Sequence, residues 1–565
     1  MTYSIFHSTR ALQVFLEAFA VLALLIAWRW PRAGARLYRT AESSFSRLAS
    51  VKWRAIIFAG LLPLSVRLLL LPFFPVPVPR VHDEFSYLLL ADTLAHGRVS
   101  NPTPLYWEHF ETEYEIFRPA YASQYQPAQG LVLAAGKVLT NKPWWGVWLS
   151  IGLMCSALCW ALGYAVPPRW ALFGSILAAL QFGVFGFWMN SYFGGAIPAI
   201  GGALVFGALL RGRSVSSAAI AGIGALIVIA SRPVEGFLWV FAAACFMLWR
   251  HTPKRSLIVF AALLASGLSA LGIYNARVTG NPLEPPYALY RRSYGTPQSY
   301  WWQPPVLVQN FHHPELAANY RDQLRHWQRR YSLAGIWDST WRRLRDFWRF
   351  FIGPFLTPAL LFAFFALRRN RLRPWLWISA LFILDHATYH AWYPQQSASE
   401  TILILLFIVE GWRQLRIWRS RRRFGLAFSR NLTAAFATAF IILCLGLPLV
   451  PADAASWGGV AKVWDTIAIK PGIRDRAIRR LEIAPGKHLV FVRYGANHPW
   501  YDEWVFNAAD IPGSRIVFAR MWSPESDLAL ARSMHDRDVW IASPDDGPLI
   551  AKVTQEQLLV ASADQ

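Results

Sequence analysis

Three adjacent residues with titratable side chains, His82, Asp83 and Glu84, follow an apolar run and a proline-rich stretch. Charged groups close to a membrane are costly, so they tend to be paired or functional. A carboxylate that loses solvent there gains proton affinity, which suits a general base that deprotonates a hydroxyl group. Asp and Glu are also favoured in the first turn of a helix, where they interact with its dipole. The spacing leaves both interpretations open.

The composition defines the environment in which these residues work. Hydrophobic residues make up 55% of the 565 residues and charged residues only 16%, whereas a soluble chain would carry about 25% charged residues. The apolar residues form continuous runs of about 17–22 residues, long enough to cross a bilayer as helices. Helices satisfy their own backbone hydrogen bonds within hydrocarbon. The sequence therefore predicts an all-α polytopic membrane protein.

We predict about twelve spans, the first of which stays in place as an anchor because no signal-peptide cleavage pattern follows it. They lie near 11–28, 55–74, 145–166, 170–188, 196–210, 217–231, 236–249, 256–274, 351–367, 374–391, 398–412 and 431–450. The four cysteines lie within or at the ends of these runs without a CxxC pair, so neither a disulfide framework nor a zinc site is indicated.

Basic residues orient the spans. They concentrate in alternate loops, above all in 29–54 and 413–430, and the positive-inside rule places such loops in the cytoplasm. The loops 75–144 and 275–350 and the tail after about 451 then face the other side. This sorting explains the net charge of +23 without nucleic-acid binding, which we do not expect.

Three domains follow from this organisation. Residues 1–54 form an N-terminal transmembrane anchor with a cytoplasmic loop, and residues 55–450 form the transmembrane core with both outer loops. Residues 451–565 form a tail in which β-like runs at 488–492, 515–519 and 538–541 alternate with a helix-like run at 523–534. That pattern predicts a small C-terminal extracytoplasmic α/β domain.

The run from His82 to Leu89, together with Asn101-Pro102, resembles the first outer loop of the GT-C glycosyltransferases. The similarity is greatest to the protein O-mannosyltransferases, the aminoarabinose transferases and their bacterial relatives. The run 124–130 resembles the Tyr-Pro-Pro-like segment of that family, with Ala128 in place of the second proline. The resemblance covers roughly residues 50–450, and the extra span at 11–28 departs from it.

The resemblance implies a membrane glycosyltransferase that uses a polyprenyl-phosphate sugar on the outer face of a bacterial inner membrane. Asp83 would be the general base, and Glu84 its neighbour or a contact of the donor sugar. His82 and Tyr125 would contact the donor. The acceptor is unidentified, and membrane lipid is the other expected partner. We expect no cofactor and no required metal, since a second acidic signature is missing and three adjacent residues rarely converge on one ion.

A leaving phosphate needs cationic partners. Arg232 is the first candidate because it lies at an outer helix junction, although it could equally pair with Glu235 or extend to lipid headgroups. Arg118 is a weaker candidate in the first loop. Tyr393, close to the end of the tenth span, is a further candidate for binding the donor. Asp385 and His386 of the same region are either functional or a satisfied interhelical pair. Other basic and aromatic candidates are Lys142, Arg291, Arg292, Tyr300, Trp301 and Trp302.

A transporter or flippase of a lipid-linked glycan is the main alternative function. Transporters of this size often have internal repeats and broken helices at the membrane midplane, and no repeat is visible in this sequence. A catalytically inactive scaffold is a third interpretation. In the tail, His498, Asp502 and Glu503 beside Trp500 and Tyr501 would contact a glycan or form a surface turn.

Overall fold

The computed structural model describes residues 9–563 apart from a set of short gaps. These gaps are residues 80, 296–299, 301, 309–310, 369, 390–391, 419–423, 447–472, 497, 500–501 and 547–548. The chain forms two compact units. The helical unit comprises Met1–Pro77, Val147–Leu268 and Trp337–Lys470, and the mixed unit comprises Val78–Gly146, Ser269–Ile336 and Pro471–Gln565. The domain boundary predicted near 450 lies outside the described residues.

Helices account for the apolar runs of the helical unit. They are Thr9–Arg29, Ala35–Ser50, Lys52–Leu69, Trp144–Leu162, Pro168–Phe182, Ala196–Arg211, Val215–Ile229, Pro233–Trp249, Lys254–Thr279, Leu333–Phe347, Gly353–Ala366, Arg373–Thr388, Thr401–Ile417 and Phe424–Gly446. Trp144–Leu162, Lys254–Thr279 and Leu333–Phe347 each have one end in the mixed unit. Small residues let them approach closely: a Cβ atom on Gly411 would lie 1.9 Å from the carbonyl oxygen of Ala359. Such contacts are typical of helices that pack inside a bilayer.

Several of these helices meet the requirements of a membrane span. By length and composition, Trp144–Leu162, Lys254–Thr279, Leu333–Ala366 and Phe424–Gly446 are long and apolar enough to cross a membrane. The pair Ala35–Ser50 and Lys52–Leu69, bent by 111°, qualifies as a fifth. The protein is therefore a mostly helical, multi-pass membrane protein. The number of about twelve spans stays a prediction, because many of the remaining apolar helices are shorter than a bilayer requires.

The mixed unit combines helices with two small sheets. Its helices are His82–Ala95, Pro127–Thr140, Pro286–Tyr294, Pro314–Gln328, Ile473–Ile483, Pro524–Ser533 and Gln555–Ala563. Its strands are β1 (Glu115–Ile116), β2 (Ala122–Ser123), β3 (Lys487–Val492), β4 (Ile516–Arg520), β5 (Arg537–Ala542) and β6 (Ile550–Lys552). The sheet order in the tail is β4-β3-β5-β6, with β3 parallel to both neighbours and β6 antiparallel to β5. The predicted C-terminal α/β fold is confirmed.

The central strand β3 is buried on both faces, as parallel strands usually are. On one face, Leu489 and Phe491 pack in a cluster that includes Phe110 and Phe117 from the first loop. On the other face, Val490 packs with residues of the helix Ile473–Ile483. The first loop thus supplies part of the core of the C-terminal sheet, and segments distant in sequence form one unit.

Candidate functional site

The helix His82–Ala95 carries two of the predicted catalytic residues in its first turn. Glu84 is buried, and its Oε2 accepts a hydrogen bond of 3.4 Å from the backbone N–H of Val81. This is the helix-capping role that the sequence left open. Asp83 is half-buried one residue earlier, at the helix end where a negative charge is favoured by the dipole.

Asp83 and Tyr125, predicted separately, are in contact. The Tyr125 hydroxyl donates a short hydrogen bond to Oδ1 of Asp83. The centroids of the stacked Tyr125 and Tyr87 rings are 4.1 Å apart, and the Tyr274 hydroxyl donates to the backbone carbonyl oxygen of Tyr125 at 2.9 Å. Loss of solvent, and then the charge of Asp83, raise the pKa of Tyr125 well above its ordinary value. Tyr125 therefore remains a hydrogen-bond donor to the carboxylate near neutral pH.

His82 also belongs to this part of the mixed unit. Its side chain is only 4% exposed, and its Nε2 lies 3.9 Å from Oε2 of Glu113. The imidazole ring packs edge-on to Tyr114 at 6.0 Å and against Phe506 at 5.8 Å. The sequence predicted His82 as a donor-binding residue. The structure shows a buried ring that connects the Asp83 turn to an acidic segment and to the C-terminal tail.

That acidic segment, residues 111–115, was not predicted as part of the site. Its three glutamates, Glu111, Glu113 and Glu115, are all buried. Glu111 accepts from the Tyr294 hydroxyl at 2.7 Å and lies 2.8 Å from Nδ1 of His312. Burial is the main cause that raises the pKa of Glu113 and of Glu115 well above the ordinary value, and Glu503 adds to it for both. The every-second-residue spacing of the glutamates was the available signal.

Arg520 was also missed, although it contacts all three segments of the mixed unit. Its side chain is 1% exposed. It donates to the carbonyl oxygen of Glu111 at 2.8 Å, to Oε2 of Glu315 at 3.1 Å and, through a short bond, to Glu503. Burial opposes the charged guanidinium, but the carboxylate of Glu503 outweighs this effect and raises the pKa of Arg520. The first loop, the second loop and the tail meet at this cation.

Glu503 is therefore a buried partner of Arg520. It also accepts hydrogen bonds from the Tyr494 hydroxyl and from the backbone N–H groups of Trp504 and Val505. Of the other tail candidates, His498 lies 2.9 Å from Asp545, while Trp500 and Tyr501 lie outside the described residues. Glu503 is thus buried rather than part of a surface turn, and a glycan contact of this segment stays a prediction.

Arg118, the cation predicted in the first loop, is exposed, and its guanidinium lies over the Trp107 ring at 4.7 Å. Of the other outer-loop candidates, Arg292 pairs with Glu284 at 3.1 Å and Arg291 lies 5.4 Å from the Tyr287 ring. Tyr300 and Trp302 stack on each other at 4.6 Å, and Trp301 lies outside the described residues. These cations lie on aromatic or acidic neighbours, which is common for arginine at a protein surface.

Arg232 and Tyr393 belong to the helical unit, whereas Asp83, Glu84, His82, Tyr125 and Arg118 belong to the mixed unit. Arg232 precedes the helix Pro233–Trp249 and interacts with the buried Glu235, as one of the open interpretations expected. Glu235 also interacts with His386, whose Nε2 lies 2.8 Å from Glu400.

Tyr393 is 49% exposed, and its backbone N–H donates to Oε1 of Gln396 at 2.6 Å. His390, also near this span, lies outside the described residues.

Within the part of the chain that the structure describes, no three His, Cys, Asp or Glu side chains are placed to hold a metal ion. In the Asp83–Tyr125 pair, the carboxylate accepts a hydrogen bond from a neutral hydroxyl donor. Such a carboxylate can accept a proton from a hydroxyl or amine that approaches it.

No family model matches the chain, and no curated protein matches it. Three solved structures that resemble it are of the Archaeoglobus fulgidus oligosaccharyltransferase AglB. The complex with an inhibitory peptide and a dolichol-phosphate has a TM-score of 0.45 at 10% identity, covering 87% of this chain and 69% of that one. The apo form has a TM-score of 0.43 at 9% identity, with the same coverage. The form tethered to an acceptor peptide has a TM-score of 0.41 at 9% identity, covering 87% and 68%.

At these TM-scores and identities the similarity carries no assignment of substrate, residue role or mechanism to this chain.

Proposed function

We propose that the protein is a membrane glycosyltransferase that moves a sugar from a polyprenyl-phosphate donor to an acceptor on the outer face of a bacterial inner membrane, with Asp83 as the general base. The observation that carries the proposal is the Asp83–Tyr125 contact. A half-buried carboxylate at a helix N-terminus, fixed by one hydroxyl donor, is the kind of group that activates a nucleophile.

The reaction is an inverting displacement. The oxygen or nitrogen atom of the acceptor bonds to the anomeric carbon of the sugar, and its proton passes to Asp83. The bond from that carbon to the phosphate oxygen breaks, and the lipid phosphate leaves with the electron pair. In this scheme Tyr125 acts as a positioning residue, since its hydroxyl holds Oδ1 of Asp83, while Glu84 maintains the helix turn that presents Asp83.

The organisation of the chain supports an active site on one side of a membrane. The three long segments that the charge pattern predicts on the outer face supply the three segments of the mixed unit. The apolar helices of the other unit are suited to surround a polyprenyl chain. We propose Arg232 as the cation that stabilises the leaving phosphate, because it caps an apolar helix and keeps part of its surface exposed.

The test is sugar transfer by the purified, reconstituted protein with a panel of undecaprenyl-phosphate sugars. Asn at position 83 keeps the size of Asp83 and still accepts the Tyr125 hydrogen bond, so Asp83→Asn isolates the loss of the base. We expect donor binding to persist while release of lipid phosphate falls by about 10²–10⁴-fold. Asp546→Asn is the matched control, since Asp546 is exposed on the tail of the same unit, and it should release lipid phosphate at the wild-type rate.

Near-normal transfer by Asp83→Asn would remove Asp83 from the catalytic role. Movement of the lipid-linked sugar across vesicle membranes by the wild type, with no release of lipid phosphate, would replace the transferase with the transporter.

A further inference from the structure

The helical unit contains a cavity of about 370 Å³ that the proposed reaction does not use. Four helices line it: Ala35–Ser50, Pro168–Phe182, Thr401–Ile417 and Phe424–Gly446. From the structure we infer that this cavity is a binding site for an anionic phospholipid of the cytoplasmic leaflet. One acyl chain would lie in the cavity and the phosphate at its arginines. The size is within the range of small-molecule sites.

Each helix contributes a single face to the cavity. From Ala35–Ser50 the lining residues are Tyr38, Ala41, Glu42, Phe45 and Ser46, a spacing of three and four residues that defines one helix stripe. From Pro168–Phe182 the stripe is Phe173, Ile176, Leu177 and Leu180 below Arg169 and Trp170. The deeper lining is therefore mainly aliphatic and aromatic. Such a surface is suited to hydrocarbon rather than to a polar ligand.

Charge is confined to one set of lining residues. Arg416 Nη1 lies 2.8 Å from Oε1 of Glu42, and Arg430 binds both Glu42 oxygens, through Nε at 2.9 Å and Nη2 at 2.8 Å. Glu42 fixes both guanidinium groups but neutralises only one of their charges. Arg169, exposed on the neighbouring helix, also lines the cavity. The lining thus retains a positive charge in a preorganised arrangement, which suits a phosphate group.

The helix Ala35–Ser50 is suited to the membrane surface. It is bent by 111° from Lys52–Leu69, so it lies close to the membrane plane when Lys52–Leu69 crosses the bilayer. Its cavity-facing stripe is opposed by exposed Arg36, Arg39 and Arg47. An apolar face and an arginine-rich polar face are typical of interfacial helices.

The positive-inside rule selects the lipid. The cavity helices include or adjoin the arginine-rich segments 29–54 and 413–430, which it places in the cytoplasm. Basic pockets between helices on that side bind anionic headgroups. The phosphate of the proposed sugar donor reacts on the outer face, so an anionic glycerophospholipid is the occupant that matches both the charge and the predicted side.

The full-length protein, purified and exchanged into lipid-free detergent, would be titrated with phosphatidylglycerol and, separately, phosphatidylcholine of the same acyl chains. Native mass spectrometry counts the bound lipids. We expect saturable binding of one phosphatidylglycerol in preference to phosphatidylcholine. Arg169→Gln should weaken it about fivefold, the contribution of one arginine near a membrane surface, and Ala437→Trp should abolish it by filling the cavity. Arg211→Gln, an equal charge change at an exposed helix end outside the lining, should leave it unchanged.

Equal retention of the two lipids, or equal weakening by Arg169→Gln and Arg211→Gln, would overturn the site. So would preferential retention of undecaprenyl phosphate over phosphatidylglycerol, since that outcome would make the cavity a donor-lipid site. Arg169 is exposed, so its variant should fold even if Ala437→Trp does not, and thermal unfolding of each variant checks this point.

Discussion

Two buried arginines, one in each unit, are held in opposite ways. Arg67 of the helical unit is 0% exposed and donates to neutral acceptors, the side chain of Asn190 at 3.1 Å and the carbonyl oxygens of Phe74 at 2.5 Å and Pro75 at 2.9 Å. Arg520 of the mixed unit is 1% exposed and is held by the carboxylates of Glu503 and Glu315.

The difference shows two uses of a buried cation in one chain. Arg67 fixes the backbone at the end of its helix, because its acceptors include the next carbonyl oxygens along the chain. Arg520 compensates carboxylates that come from separate segments, so its charge is part of the assembly of the unit. When a cation that binds neutral acceptors is lost, buried polar atoms are left without a hydrogen-bond donor. When a cation that binds carboxylates is lost, buried charges are left unpaired.

The largest effect should come from Arg520→Met. This change leaves Glu503 and Glu315 without their cation, and removing one partner of a buried ion pair costs about 3–5 kcal/mol. Thermal unfolding of the purified protein should show a fall in Tm on the order of 10 °C. The double variant Arg520→Met, Glu503→Gln should recover part of this loss. Equal Tm values for the single and double variants would contradict the role of the charge pair.

Arg67→Met should have a smaller effect and sharpens the comparison. It removes the hydrogen-bond donor of the Phe74 and Pro75 carbonyl oxygens, and an unsatisfied buried acceptor lowers the free energy of unfolding by about 1–3 kcal/mol. Asn190→Ala offers no rescue, since Asn190 also donates to the carbonyl oxygens of Val184 and Gly186. The measurement is the same thermal unfolding. A loss as large as that of Arg520→Met would mean that Arg67 also compensates a buried charge.

The smallest effect should come from Glu113→Gln, and it depends on pH. The raised pKa of Glu113 means that the folded protein binds this proton more tightly than the unfolded chain. Its contribution to stability is therefore present at low pH and is lost as pH rises above the unfolded value of about 4.3. Gln cannot ionise, so the Tm of the variant relative to the wild type should rise from pH 5 to pH 8. A difference that does not change with pH would contradict this account.

The sequence predicted the positions of most helices because apolar runs that cross a membrane are continuous, and it predicted the tail strands because short β-like runs alternate there with a helix-like run. It also selected Asp83 and Tyr125 individually. It did not predict their contact, because 42 positions separate the two residues. The intervening segment is folded back by contacts such as the hydrogen bond between the Ser86 and Ser123 hydroxyls, which no spacing rule predicts. The role of Asp83 as a base stays a prediction.

The acidic network was out of reach for a different reason. The sequence alone led to no interpretation of Glu111, Glu113 and Glu115, because their every-second-residue spacing does not by itself predict burial and glutamate is rarely buried without a partner. Their surroundings come from residues far along the chain: Arg520 is separated from Glu111 by 409 positions and from Glu315 by 205. No local sequence pattern around Arg520 or Glu503 predicts that they bind residues so distant in sequence. The same limit applies to the count of spans, which depends on how short helices lie in a bilayer.

The contacts of Arg520 also set an order of events during synthesis. Glu111 and Glu315 leave the ribosome long before Arg520, so the nascent protein carries two loops whose compensating cation does not yet exist. The core face shared by Phe110 and Phe491 is incomplete for the same period. The mixed unit can close only after the last segment has been made and delivered to the same side of the membrane. A chain truncated before position 520 would therefore lack the tail and could not complete the mixed unit that contains Asp83. Such a truncated chain would be incompletely folded rather than a smaller folded protein.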